Sequence, residues 1–240
     1  MSAAVITIDK KKKTILTVCA SALALAFIAA ADVFFDNFTL RVFNLCAIYI
    51  VLALSLNLLN GFTGIFSLGH AGFMAIGAYI SALLTMSPAQ KEMNFYLAPI
   101  IRPLAGLQIP FLPALLLAGF AAALFAFLIG LPVLRLHDDY LAIASLGFAE
   151  IIRVVITNLQ RVTNGALGLK GLPKYSTTYV VWGCAILAIV FTVALINSAF
   201  GSSLKAIRDN EIAAEAMGIN VAKVKTISFI MSGFMAGIGG

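Results

Sequence analysis

Residues 111–134 read FLPALLLAGFAAALFAFLIGLPVL, a run without one charged or amide side chain. A segment of this length matches the roughly 20 apolar residues that a helix needs to cross a ~30 Å hydrocarbon layer. A barrel strand would instead alternate apolar and polar positions over about ten residues. Lipid offers backbone groups no partner, so a uniformly apolar run closes its hydrogen bonds within itself, as a helix does. Comparable blocks occupy residues 14–34, 39–59, 62–86, 140–160 and 179–199, and a last one starts at Thr226. The whole chain of 240 residues is 62% hydrophobic and 11% charged, with a mean hydropathy of +1.04, more apolar than a water-soluble core of this size requires. The expected fold is all-α: a polytopic transmembrane helical bundle of about seven spans.

The two ends of the chain raise separate expectations. Lys10 to Lys13, an apolar run and Ala29-Ala30-Ala31 resemble a cleaved signal peptide, but the run exceeds the ~7–15 residues of a signal core and further spans follow it. An uncleaved first helix is expected. The final block, residues 226–240, is short for a crossing and stops on Gly239-Gly240, as a chain cut short would.

Basic residues set the orientation, because loops rich in Lys and Arg stay cytoplasmic. One threading puts Lys10 to Lys13, Arg135, Lys205, Arg208, Lys223 and Lys225 inside, against Arg41, Lys91, Arg102, Arg161, Lys170 and Lys174 outside. Residues 1–13 are then a cytoplasmic basic N-terminus and 201–225 a cytoplasmic loop. The net charge of +6 follows from this topology and from attraction to anionic membrane lipid, and implies no nucleic acid. Cys19, Cys46 and Cys184 fall within spans without metal-ligand spacing and read as small apolar fillers.

Two segments carry polar groups at membrane depth. In GFTGIFSLGHAGFMAIGAYISALL, residues 61–84, Ser67 and His70 stand three apart and on a helix would share a face, the start of a serine hydrolase. The G-x-S-x-G pattern is missed by one position and no carboxylate follows, which argues against hydrolysis. Gly61, Gly64, Gly69, Gly72 and Gly77 make a surface for close helix packing, or allow a broken helix whose ends line a cavity. Asn57 and His70 nearby favour a translocation pathway through Asn57, Ser67 and His70. In LRLHDDYLAIASLGFAEIIRVVITN, residues 134–158, Glu150 falls near mid-span with Arg153 three residues on. An ionisable group there is costly, so a bundle-facing intramembrane ion pair is expected, with ion transport by Glu150 as the alternative. His137, Asp138 and Asp139 read as a cytoplasmic turn. The sequence holds no metal-ligand spacing, and GALGLKG at 165–171 fails the phosphate-loop pattern, so any ATP is expected on another chain.

The loop GSSLKAIRDNEIAAEAMGINVAKVK, residues 201–225, breaks the apolar pattern. Gly201, Ser202 and Ser203 could cap a short helix through Arg208, and Asp209 or Asn210 a second that Gly218 ends. Ile212, Ala213, Ala216 and Met217 would share one face of that second helix, with Glu211 and Glu215 on another. Small residues beside acidic ones suit a protein groove better than a lipid surface.

From about Cys46 to Gly240 the chain resembles the permease subunits of ABC importers for branched-chain amino acids. The resemblance rests on LALSLNLLNGFTGIFSLGHAGFMAIGAYISALL, LPVLRLHDDYLAIASLGFAEIIRVV, TNGALGLKGLP and LKAIRDNEIAAEAMGINVAKVK, in that order. It implies that residues 14–240 form a transmembrane permease domain without catalytic residues. The implied partners are ABC ATPase subunits carrying ATP and Mg, a second permease subunit and an extracytoplasmic substrate-binding protein. It places the chain in a bacterial inner membrane and makes Arg208, Asp209, Asn210, Glu211, Ala213, Ala214, Glu215 and Gly218 the ATPase-coupling residues. A sugar importer of similar architecture and an ion-coupled carrier are the rivals. Departures are Ile212 where an EAA-x-x-x-G motif has glutamate, and Asn164 in TNGALG where a Thr-Gly-Gly opening is expected; the family also continues through further helices. Gly72-Phe73-Met74-Ala75 returns as Gly233-Phe234-Met235-Ala236, a hint of an internal repeat.

Overall fold

The computed structural model describes Ile28 and residues 34–96, 98–136 and 138–240. The span expected at 14–34, Lys10 to Lys13, Cys19, Ala29 to Ala31 and His137 lie outside the described residues, as do the side chains of Asp138 and Asp139.

Among the described residues the structure is helical. Helix α1 (Asn37–Asn57) runs into a π-helical turn (Leu58–Thr63). Then follow α2 (His70–Thr85), α3 (Pro88–Asn94), α4 (Phe111–Val133), α5 (Asp138–Asn158) and α6 (Thr178–Ile196). Two shorter helices, α7 (Ala199–Asp209) and α8 (Glu211–Ala216), lead into α9 (Val221–Gly239). Five of these segments are long and apolar enough to cross a membrane: Asn37–Thr63, Phe111–Val133, Tyr140–Asn158, Thr178–Ile196 and Val221–Gly239. Among the described residues, where six of the seven expected spans fall, the count is thus corrected to five. The block at 62–86 is not one span, because its first part belongs to the π turn and residues 64–69 are not helical, leaving the shorter apolar helix α2. The final block is longer than its apolar stretch suggests: α9 starts at Val221, where Asn220 accepts from the Lys223 backbone N–H at 3.0 Å as its N-cap.

The centre of the bundle is built from small residues. Helix α9 crosses α4 where a Cβ on Gly233 would overlap that of Ala126, and one on Gly237 that of Ala122. Gly77 of α2 meets α9 so closely that a Cβ there would overlap the Gly237 carbonyl oxygen. Lipid tails are as apolar as leucine, so helices gain by packing that lets backbones approach, and glycine and alanine permit it. Around these crossings Leu59, Phe73, Ile76, Ala122, Phe229 and Ala236 form the main core, with Phe73 and Phe229 edge to face at 5.5 Å. A second cluster joins Ala47 and Val51 of α1 to Val181 and Ala185 of α6 and Met235 of α9. The two Gly-Phe-Met-Ala copies occupy different surroundings: Gly72 faces Ala149 and Ile152 of α5, whereas Gly233 faces α4. Cys46 is exposed on α1 rather than packed as a filler, and Cys184 is half-buried.

At one end of the bundle a polar knot ties α3 to the loop before α6. Asn94 accepts from the Lys170 backbone N–H at 2.7 Å and donates to the Lys170 carbonyl at 2.9 Å, while Gln90 donates to the Gly171 carbonyl at 3.1 Å. Lys91 is fully buried and its Nζ donates to the Leu104 carbonyl at 2.7 Å and to that of Leu107. Asn164, the residue where glycine was expected, has φ +61 and donates to the Gly168 carbonyl at 2.8 Å. Asparagine tolerates this left-handed backbone better than other side-chain-bearing residues, which explains how it replaces glycine there.

Candidate functional site: a broken helix and its contact with a polar hairpin

The break between α1 and α2 shows how a non-helical segment survives among apolar helices. The π turn ends on Gly64 at φ +75, and residues 64–69 then run without helical bonds. Their freed N–H groups find partners individually. Ile65 donates to the Leu59 carbonyl at 3.0 Å, Ser67 to Asn60 Oδ1 at 3.3 Å, and Leu68 to Ser145 Oγ at 2.9 Å. A broken segment at membrane depth is tolerated where protein groups replace the lost bonds. Gly69 passes so near α5 that a Cβ would lie 2.8 Å from the Ser145 carbonyl oxygen.

The residues singled out from the sequence fall around this break in different ways. Ser67 is buried within the non-helical segment, and its Oγ accepts from the Gly69 N–H at 3.4 Å. Ser67 and His70 therefore do not share a helix face, and the hydrolase pairing is replaced by another. His70 opens α2, and its Nε2 meets Ser55 Oγ of α1 and Ser232 Oγ of α9, the latter at 3.3 Å. Asn57 is exposed, with its side chain lying over Gly61, where any Cβ would overlap Asn57 Oδ1. Gly72 and Gly77 serve helix crossings, while Gly61, Gly64 and Gly69 belong to the break itself.

Ser55 and Ser232 were not singled out from the sequence. Both are fully buried, and each donates to the other's backbone carbonyl, Ser55 Oγ to Ser232 O at 3.0 Å and Ser232 Oγ to Ser55 O at 2.8 Å. With His70 they fasten α1, α2 and α9 at one point. Serines in apolar helices carry a weak signal, since most bond to their own helix four residues back. Ser145, which holds the break, escaped notice for the same reason, and Asn60 did because its bond to the Ser67 N–H exists only once the helix is broken.

Glu150 and Arg153 form the expected local pair, Arg153 Nε to Glu150 Oε1 at 3.2 Å. They do not face the bundle interior, because the side chains are 57% and 74% exposed respectively. Helix α5 lays only one edge against the break, through Leu141, Ala142 and Ser145, and turns its other faces outward.

The polar segment at 201–225 is a helical hairpin packed under the break. Its first helix begins earlier than expected: Ser198 is the N-cap, accepting from the Gly201 N–H at 3.3 Å, while Ser202 and Ser203 lie inside α7. Gly201 is buried where a Cβ would overlap the Ile196 carbonyl. Asn210 caps α8 by accepting from the Ala213 N–H at 3.0 Å. Helix α8 ends with Gly218 at φ +84, the Gly218 N–H bonded to the Glu215 carbonyl at 2.9 Å and the Ile219 N–H to the Ala214 carbonyl at 3.1 Å. This paired closure is a Schellman motif, whose left-handed residue is most often glycine.

The face of α8 that carries Ile212, Ala213, Ala216 and Met217 is turned outward. Ala214 is buried against Ile207 and Val221, whereas Ile212 and Met217 are 82% and 84% exposed. Glu211 is not left facing Glu215 alone, because its Oε2 accepts from Lys225 Nζ of α9 at 2.6 Å. Arg208 is also turned toward the chain itself. Its Nε and Nη2 donate to Asp209 Oδ1 at 3.1 and 3.0 Å, and its Nη1 to the Gly61 carbonyl at 3.0 Å. An open groove of ≈ 550 Å³ lies between hairpin and break, bordered by Gly64, Phe66, Arg208, Glu211, Ile212 and Glu215.

Comparison with known proteins bears on this arrangement. A family model described as branched-chain amino acid transport system / permease component matches residues 38–240. The chain is 33% identical over 236 residues to the high-affinity branched-chain amino acid transport system permease protein LivM of Escherichia coli (strain K12), covering 84% of this chain and 51% of that protein. It is 33% identical over 227 residues to the protein of the same name from Salmonella typhimurium, covering 80% of this chain and 49% of that one. To the probable branched-chain amino acid transport permease protein LivM of Methanocaldococcus jannaschii it is 28% identical over 224 residues, covering 80% and 63% respectively. It thus spans about half the length of the first two relatives. No solved structure matches the chain. Seen with the helical spans, the broken segment and the hairpin beneath it, the match over residues 38–240 places this chain in the family of branched-chain amino acid transport system permease components.

Proposed function

We propose that the chain is a transmembrane permease subunit of an ABC importer that moves branched-chain amino acids across the bacterial inner membrane. ATP hydrolysis, with its Mg, takes place on separate ATPase subunits, an extracytoplasmic binding protein delivers the substrate, and the N-terminus is cytoplasmic. The observation that carries this reading is the α7–α8 hairpin. Both of its helices are capped, its last turn is closed on Gly218, and it presents Ile212 and Met217 to solvent beside Glu211 and Glu215. A short rigid element that exposes large apolar side chains among charges suits docking into another protein, because buried apolar anchors give affinity and charges fix register. Ala214 supports the hairpin from within, and Ala213 leaves room for close approach.

The translocation pathway runs along the break, past Asn57, Ser67 and His70. A second permease subunit covers the outward face of α5. The Glu150–Arg153 pair supports that placement, since an exposed ion pair facing hydrocarbon would be costly while one facing protein or a water-filled path would not. Uptake of leucine into proteoliposomes holding the complete complex tests the reading. Dependence on ATP and the binding protein, with competition by isoleucine and valine but not ribose, is expected. Uptake driven by a proton gradient without ATP would favour a Glu150 carrier, and competition by ribose a sugar importer.

A further inference from the structure

We infer that Arg208 is a positioning residue whose grip on the Gly61 carbonyl carries movement of the coupling hairpin to the helix break, an inference that rests on the importer reading above. The contact is specific in three respects. It joins two segments separated by 147 positions, at 3.0 Å. Its acceptor lies in a π turn, which spends one more residue per turn than an α-helix and so can shift register over a short distance. The Arg208 stem also lies against the turn's end, where a Cβ on Gly64 would sit 3.1 Å from Arg208 Cγ and 3.3 Å from Arg208 Cα. Gly64 at φ +75 therefore answers two demands at once, a left-handed backbone and room for Arg208.

Asp209 completes the device. It takes Nε and Nη2 of the guanidinium, which leaves Nη1 aimed at Gly61. The planar fork can serve both acceptors together, whereas a lysine ammonium is a single point on a flexible stem. A second grip lies on the other helix of the hairpin, where Glu211 holds Lys225 of α9 at 2.6 Å. From these anchors the two gripped helices converge. Ser232 stands about two turns beyond Lys225 on the same face of α9, and Ser55 lies between one and two turns before Gly61 on α1. Ser55 and Ser232 meet each other and His70, the first residue after the break. A tilt of the hairpin thus pulls on two helices just below the point where they are fastened to the start of the third.

The test uses the complete complex with its ATPase and binding protein in proteoliposomes, and measures leucine taken up per ATP hydrolysed. Arg208→Gln is expected to co-purify with the ATPase and to keep hydrolysis within about two-fold, while uptake falls about ten-fold or more, a coupling loss within the usual range for linked sites. Arg208→Lys should recover part of the ratio. Glu211→Lys and Lys225→Glu should each lower it, and the reciprocal exchange should restore it. Hydrolysis, uptake and co-purification falling together would make Arg208 a docking residue and overturn the inference, as would an unchanged ratio. If Arg208→Gln is lost from the membrane, Arg208→Lys decides: a lowered uptake-to-hydrolysis ratio with the ATPase still bound supports the grip, and an unchanged ratio overturns it. A wild-type complex without ATP-dependent uptake would refute the importer reading itself.

Discussion

Ser55 of α1 and Ser232 of α9 exchange hydrogen bonds with each other's backbone carbonyls, at 3.0 and 2.8 Å, with His70 beside them. The pair is fully buried. Replacing either serine by alanine should lower thermal stability in detergent by about 0.6–1.7 kcal/mol, from the mean to the maximum found for interhelical hydrogen bonds in membranes. The double replacement should cost less than the two singles summed, because both hydroxyls also meet the same His70 Nε2. Strict additivity would show that the serines act separately.

Gly77 and Gly147 should respond oppositely to the same substitution. A Cβ on Gly77 would overlap the Gly237 carbonyl, whereas one on Gly147 meets nothing within 4 Å. Gly77→Ala is expected to force α2 from α9 and reduce folded protein recovered by size exclusion. Gly147→Ala should be neutral or stabilising by up to about 1 kcal/mol, since alanine is the better helix former. Equal behaviour of the two would contradict the packing described.

Much of this fold was legible because lipid permits few solutions: an uncharged run such as 111–134 had little choice but helix. The break was legible only as a density of glycines. Its position depended on Asn60 and Ser145 reaching the freed N–H groups, and Ser145 is 77 positions away from the residue it holds. The same limit hid Ser55 and Ser232, whose meeting is set by how α1 and α9 cross. Gly218 was readable because its constraint is local, in its own φ, and Asn210 because capping is local too. The inward face of α8 was not, since Ala214 is chosen by Ile207 and Val221 from neighbouring helices, which leaves Ile212 and Met217 exposed.

If a second permease subunit covers α5 as proposed, the coupling of Glu150 and Arg153 should depend on it. In the isolated chain their side chains are exposed, and exposed pairs contribute about 0–1 kcal/mol. In the assembled complex, Glu150→Ala and Arg153→Ala should each lower recovery of the dimeric permease, and the double variant should recover more than the two losses combined predict. Folded, abundant Glu150→Gln protein that had lost only pH-dependent uptake would favour the carrier.

Gly218 constrains the hairpin through backbone geometry alone, as no atom lies within 4 Å of where its Cβ would be. A side chain at φ +84 costs about 1–2 kcal/mol. Gly218→Ala and Gly218→Val should therefore leave membrane insertion intact but loosen α8, seen as faster amide exchange at Ile219. Unchanged exchange would mean that the turn does not depend on glycine.

The proposed role of the α7–α8 hairpin is to join this chain to an ATPase that drives transport. Its most direct test is co-purification and ATP-dependent leucine uptake measured together on an Ile212→Asp, Met217→Asp double variant. Both side chains are exposed, so folding should be untouched while two apolar anchors are lost. Normal membrane abundance is expected, with ATPase association and uptake lowered about ten-fold or more, as loss of ~1.4 kcal/mol or more of binding energy implies. Normal association and normal uptake in that variant would contradict it.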